Sequence, residues 1–270
     1  VKLLKGLLFM LLLPHGAMAQ DSPLTRLDTL DAGRAWEAVG RLDLGGKGIC
    51  TGALIAPDLV LTAAHCLFDP DVNEPIDPTR IEFLAGWRNG RASAYRSVRR
   101  AVLHPSYVYE DEVSSSRVRN DIALLELQRP IRNTTVVPFE TDARPRKGAK
   151  IGVVSYAHDR AEAPSLQEVC AVLARQKGVL IMSCDVDFGA SGAPVFSFEG
   201  DEPKIVSVVS AKAEVRGEQV ALGARLAEEL DVLRAQLGQS GQGHRLPSGV
   251  RRVQVGDGNQ TGAKFLRPLN

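Results

Sequence analysis

Three short stretches of this chain carry side chains that can do nucleophilic chemistry together. "LVLTAAHC" (59–66) ends a β-like run at His65, "RNDIALLEL" (119–127) opens one at Asp121, and "FGASGAPVF" (188–196) sets Ser191 among small residues. A serine hydroxyl is a poor nucleophile at neutral pH and needs a base beside it. An imidazole titrates near that pH, so it can take the hydroxyl proton and return it to a leaving group. A buried carboxylate fixes the imidazole tautomer and stabilises the imidazolium that forms. Small residues around Ser191 let the backbone approach a substrate and aim N–H groups at a developing oxyanion. Each stretch alone is weak, because a serine between glycines is usually a turn and a histidine after a strand is usually structural. All three at strand ends, in the order His, Asp, Ser, point to acyl transfer by a serine. The other histidines take no chemical part: His104, in "HPSY", packs at a strand end, His158 lies in a loop and His244 in the C-terminal tail.

Short β-like runs must position these groups. From Trp36 onward "WEAVGRL", "GICTGALI", "LVLTAA", "RIEFLAGW", "YRSVRRAVLH" and "DIALLEL" recur between turn signals, and a break follows at "RPRKG" (144–148). A second set then appears in "AKIGVVSY", "QEVCAVLA", "GVLIMSC", "APVFSF" and "KIVSVVSAK". Such spacing predicts an all-β fold of two units, over 35–143 and 144–223. One helix is expected over 224–238, where Leu226, Leu230, Leu233 and Leu237 share a face and Gly238 supplies a stop. Residues 239–270 set Arg245, Arg251, Arg252, Lys264 and Arg267 against Asp257, which reads as a solvated basic tail with at most a weak hairpin at the Asp-Gly turn.

The 270 residues are 44% hydrophobic and 24% charged with a net charge of +1, a globular composition without the basic excess that nucleic acid binding requires. "VKLLKGLLFMLLLPHGAMAQ" runs basic, apolar, then small-x-small, which predicts a signal peptide over 1–19 with cleavage after Ala19. Its apolar run is too short to cross a hydrocarbon core of about 30 Å. The mature protein is therefore expected to be secreted or periplasmic, without a membrane span, beginning with a polar, turn-rich leader over 20–34. Export makes an even set of cysteines a disulfide framework, and Cys50, Cys66, Cys170 and Cys184 allow three pairings. Neither a CxxC pair nor a Cys/His cluster at zinc-ligand spacing is present, so no metal is expected. If "QEVCAVLA" and "GVLIMSC" form a hairpin turning near Lys177-Gly178, Cys170 and Cys184 are equidistant from Lys177 and face each other within disulfide range.

"LTAAHC", "NDIALLEL" and "GASGAP", in this order, resemble the chymotrypsin/trypsin-like serine protease family, and the likeness covers roughly residues 35–238. The resemblance implies two six-stranded antiparallel β-barrels with a C-terminal helix and a reactive cleft between the barrels. It makes His65 the general base and acid, Asp121 its orienting partner, Ser191 the nucleophile, and the N–H groups of Gly189 and Ser191 the oxyanion hole. It also pairs Cys50 with Cys66, and implies a serine endopeptidase that cleaves polypeptides through an acyl-enzyme without a cofactor. Two rival readings use the same residues: a protease fold kept for binding without turnover, and an esterase-type acyl hydrolase.

The chain departs from the trypsin-type pattern in two coupled places. No Ile/Val-Val-Gly-Gly motif stands between Gln20 and Trp36, and Ala190 takes the position of the aspartate that would receive a freed N-terminus. A buried ammonium without its carboxylate costs several kcal/mol, so losing both halves is coherent where losing one is not. This places the chain nearer the glutamyl-endopeptidase-like bacterial branch. In the substrate pocket the resemblance singles out Asp185, six residues before Ser191, and Ser210 and Lys212 in "VSAKA". Lys212 would select acidic residues, Asp185 basic ones, and a pair of the two neither, and all three remain open on counting alone.

Overall fold

The structure, a computed structural model, describes residues 23–242 apart from 111, 143, 144, 158, 159, 216 and 225. The expected signal peptide, the start of the leader, the tail beyond 242, His158 and His244 lie outside the described residues. In chain order the elements are β1 (Thr25–Arg26), α1 (Leu30–Gly33), β2 (Val39–Asp43), β3 (Ile49–Ala56), β4 (Leu59–Thr62), β5 (Phe68–Asp69), β6 (Glu74–Pro75), β7 (Glu82–Ala85) and β8 (Ala94–Leu103). Then come α2 (Ser115–Asn120), β9 (Ala123–Leu127), β10 (Lys150–Ser155), β11 (Ser165–Gln176), β12 (Val179–Met182), β13 (Pro194–Ser197), β14 (Lys204–Val215), β15 (Glu218–Ala224) and α3 (Ala227–Gln242).

Six strands close into one antiparallel barrel in the order β2-β3-β4-β9-β8-β7. A second antiparallel barrel runs β11-β10-β13-β14-β15-β12 and closes where β12 returns to β11. Closure pairs most of the edges that a flat sheet would expose. The expected all-β, two-barrel architecture is present, with one strand the sequence does not announce. β15, "EQVALGA", has little β-branched character and becomes a strand because β14 and β12 flank it.

The β11–β12 hairpin shows how local chemistry sets register. Lys177 and Gly178 both have positive φ (49° and 88°) and form a two-residue connection between the paired Gln176 and Val179. That backbone suits a primed turn, which matches the twist of the strands. The turn is thus one residue shorter than symmetry about Lys177 requires. An irregularity between Val172 and Ala174 restores the missing residue, so Val172 faces Met182. Beyond it Cys170 and Cys184 are bonded, with Cα atoms 5.1 Å apart, and Cys50 is bonded to Cys66.

Two cores result. Ile151, Val153, Cys170, Val172, Met182, Val195 and Val209 fill the second barrel. The first barrel's core extends across the junction to Tyr156 and Phe196, and takes in Leu226, Leu230, Leu233 and Leu237. Helix α3 therefore leaves the second barrel and buries its leucine face against the first. It starts at Ala227 rather than 224, because Ala224 still pairs with Val208 in the sheet. It also runs past Gly238 to Gln242. A glycine costs a helix only about 1 kcal/mol relative to alanine, and it ends one only when the chain turns left-handed there.

The described part of the segment expected as a leader, from residue 23 onward, is built into the fold. Thr25 and Arg26 pair with Leu166 and Ser165 on the outside of β11, and the Leu27 N–H donates to Pro164 O at 2.9 Å. Trp36 packs its ring against Phe139, Phe196 and Phe198. Among the described residues no helix is long and apolar enough to cross a membrane.

Candidate active site

His65 sits in a 3₁₀ turn (Ala64–Leu67) directly after β4, and Asp121 ends α2 directly before β9. Because β4 and β9 are neighbours, with Thr62 opposite Ala123, the two side chains meet across the barrel rim. Ser114 caps α2 by accepting the Arg117 N–H. Asp121 is fully buried and holds three hydrogen bonds: from His65 Nδ1 at 2.7 Å, from the His65 N–H at 2.9 Å and from Ser210 Oγ at 2.5 Å. Burial opposes the carboxylate charge, but the His65 charge and these three donors outweigh it and hold the carboxyl below its usual range. Ser210 therefore turns its hydroxyl to Asp121 and not into the pocket where the sequence reading put it.

The loop bearing Ser191 is tied to the first barrel through Thr51. The Thr51 N–H donates to Ser191 O at 2.8 Å, and its hydroxyl donates to Gly189 O at 2.9 Å. That same hydroxyl accepts the Tyr156 N–H at 3.0 Å, while Thr62 Oγ1 donates to Thr51 O at 2.8 Å. Gly192 presses so closely on this hub that a Cβ there would lie 2.1 Å from Thr62 Oγ1 and 2.3 Å from Thr51 O. Its φ of +78° is also one that side chains resist. The Ala190 N–H donates to Asp187 O, Gly192 N–H to Val209 O and Ala193 N–H to Ala190 O. The N–H groups of Gly189 and Ser191 are left without an acceptor among the described residues. Ser191 Oγ and His65 Nε2 likewise make no hydrogen bond to each other, as is common before substrate tightens such a site. Ala190 is fully buried in the second barrel's core, where it is surrounded by apolar side chains among the described residues.

Beside this loop a cleft of about 170 Å³ is lined by Ser183, Cys184, Asp185, Val186, Lys212, Gln219 and Val220. Asp185 and Lys212 thus share one pocket but do not pair. Lys212 Nζ lies 3.6 Å from Asp187, and Asp185, whose N–H donates to the buried Gln167 side chain at 2.7 Å, has no ion-pair partner among the described residues. Beyond Val209, β14 keeps β15 on one side only, so, among the described residues, 210–215 offer a free edge next to Ser191. A second hollow of about 210 Å³, with Val113, Val118, Val179, Ile181 and Leu222 in its walls, opens between α2 and the outer face of the second barrel. Ligand atoms of Cys50, Cys66 and His65 lie within 4.8 Å of one another, but the disulfide consumes both sulfurs and leaves no thiolate for a metal.

A family model described as "Trypsin" matches residues 31–227. The chain belongs to the trypsin family. Within that family it is similar to human serine protease 56, with 34% identity over 97 residues (36% of this chain and 14% of the relative). It is also 30% identical to human cathepsin G over 109 residues, 40% of this chain and 38% of that one. To the glutamyl endopeptidase of Bacillus licheniformis it is 26% identical over 150 residues, 55% of this chain and 45% of the relative. The chain thus spans less than half the length of these curated relatives. A solved Glu endopeptidase structure, in complex with MPD, superposes with a TM-score of 0.63 at 18% identity, covering 81% of this chain and 99% of that one. The sequence match to the Bacillus enzyme agrees with the branch to which Ala190 points, and the structural likeness agrees with the two-barrel fold.

The site draws on residues that sequence reading does not single out: Thr51, Thr62 and Gln167. Thr51 lies within the apolar run "ICTGALI", and a buried hydroxyl there must find partners. Nothing local says that those partners are Gly189 and Tyr156.

Proposed function

We propose that this protein is an exported serine endopeptidase that hydrolyses peptide bonds through an acyl-enzyme. In this reading Ser191 attacks, His65 takes its proton and passes it to the leaving amine, and buried Asp121 fixes the His65 tautomer. The free N–H groups of Gly189 and Ser191 receive the oxyanion. A substrate strand adds to the open edge of β14 at 210–212, its side chain before the scissile bond enters the Asp185/Lys212 cleft, and residues further upstream meet the apolar hollow. The observation that carries the reading is the buried Asp121 carboxylate, doubly bonded to His65, together with a Ser191 loop that is locked to the same barrel through Thr51. The cleft is open, which disfavours a module kept for binding with a blocked site. Two disulfides support an oxidising compartment, secreted or periplasmic.

Labelling by a fluorophosphonate and turnover of a protein substrate test this directly. Ser191→Ala is expected to lose labelling and about 10⁶-fold in kcat while its circular dichroism stays that of the wild type. Retained amidase activity in folded Ser191→Ala overturns the nucleophile assignment. Ester turnover without protein cleavage by the wild type would favour the esterase reading.

The charges in the cleft bear on specificity. Lys212 is engaged by Asp187, which stands outside the cleft lining, so Asp185 supplies the charge without an ion-pair partner among the described residues, and the three groups together carry one net negative charge. That balance favours a basic side chain before the scissile bond, in contrast to what the glutamyl endopeptidase likeness suggests.

A further inference from the structure

We propose that His104 is a positioning residue for Asp121, acting through the turn at 104–107 and not through contact with substrate; the inference rests on the proposed role of Asp121. His104 follows directly on β8 and is buried, with a side chain only 7% exposed. Its backbone N–H donates to Ile122 O at 3.1 Å, holding the residue after Asp121. Two residues on, Ser106 O accepts the side-chain N–H of buried Asn120 at 3.1 Å, holding the residue before Asp121. The turn thus grips Asp121 from both sides.

The imidazole itself keeps the turn folded. Its Nδ1 accepts the Ser106 N–H at 3.2 Å, while its backbone O accepts the Tyr107 N–H at 2.9 Å. A nitrogen that accepts is unprotonated, so the hydrogen sits on Nε2, which lies 2.9 Å from the Glu229 carboxylate. Glu229 stands in the first turn of α3, where a negative charge is favoured by the helix dipole. The C-terminal helix thereby sets the tautomer that lets His104 accept from Ser106. A side chain accepting the N–H two residues ahead is the arrangement that Asn and Asp make in Asx turns. Asparagine at this position can therefore rebuild the turn, although it is too short to reach Glu229.

The test compares full-length wild type with His104→Ala, His104→Asn and Asp121→Asn on a peptide amide, at a temperature where near-ultraviolet circular dichroism shows each folded. Misplacing a reacting group by about 1 Å costs on the order of 10²-fold, so His104→Ala is expected to lose about 10- to 100-fold in kcat with KM changed less than about twofold. His104→Asn should stay within about threefold of wild type in kcat, while its melting temperature falls because the Glu229 partner is gone. The low-field proton resonance of the His65–Asp121 hydrogen bond should shift or broaden in His104→Ala and return in His104→Asn. Wild-type kcat in folded His104→Ala, or His104→Asn as slow as His104→Ala, overturns the proposal. Should His104→Ala fail to fold, His104→Asn decides alone: a folded protein with kcat down tenfold or more overturns it. Asp121→Asn separates the two levels of the argument. If it keeps full activity, the triad reading itself has failed; if it is inactive and His104→Ala is not, only the role of His104 has.

Discussion

Replacing Thr51 by valine removes one oxygen from the junction between the barrels and leaves its shape unchanged. The Thr51 hydroxyl donates to Gly189 O and accepts from the Tyr156 N–H, and Thr51 and Tyr156 are fully buried. Valine keeps the β-branched fit to strand β3 but leaves that carbonyl and that N–H unsatisfied. Each such group costs about 1–3 kcal/mol, so the expected loss for the two is roughly 2–6 kcal/mol. For a domain of about 200 residues this lowers Tm on the order of 10 °C. The backbone bond from the Thr51 N–H to Ser191 O survives, so the nucleophile loop loosens at Gly189 without detaching. Since the Gly189 N–H is one of the two proposed oxyanion donors, fluorophosphonate labelling of Ser191 should slow by about tenfold or more. Thr51→Ser keeps the hydroxyl and should restore both quantities. A Thr51→Val protein that melts within about 2 °C of wild type and labels at the same rate would refute the claim that Thr51 holds this loop.

Three further outcomes are expected. Ala190→Asp puts an unpaired carboxylate into the second barrel's core and should destabilise by about 3 kcal/mol or more without speeding Ser191 labelling; faster labelling would show that a buried cation waits there. In a peptide library the wild type should favour cleavage after Arg or Lys, and Asp185→Asn should weaken that preference by about fivefold, the scale of an exposed ion pair; an unchanged profile rejects Asp185 as the selecting charge. Changing Cys170 and Cys184 together to serine opens a loop with a sequence separation of 14 and should cost roughly 3 kcal/mol in thermal unfolding, with little loss expected if the hairpin stays closed in the denatured chain.

What the sequence determined by itself is what depends on near neighbours. The alternating runs around His65 and Asp121, the leucine face of Leu226, Leu230, Leu233 and Leu237, and the Lys177-Gly178 turn are local patterns, because strand pleat, helix pitch and turn dihedrals act over a few residues. The order of His65, Asp121 and Ser191 was readable for the same reason, since each sits in its own short stretch. Everything that required two distant segments to meet was decided by the tertiary structure. Thr51 reaches Gly189 across 138 residues and Ser210 reaches Asp121 across 89, contacts that no window of sequence contains. Strand β15 has weak propensity of its own and forms because two neighbours need a partner. Thr25 and Arg26 of the leader became β1 because the edge of β11 could receive them, and Lys212 found Asp187 in place of Asp185 because the path of the Ser191 loop put that carboxylate nearer. Hydrogen bonds and ion pairs act over a few ångströms, so which of them form is settled only once the two barrels have closed and come together.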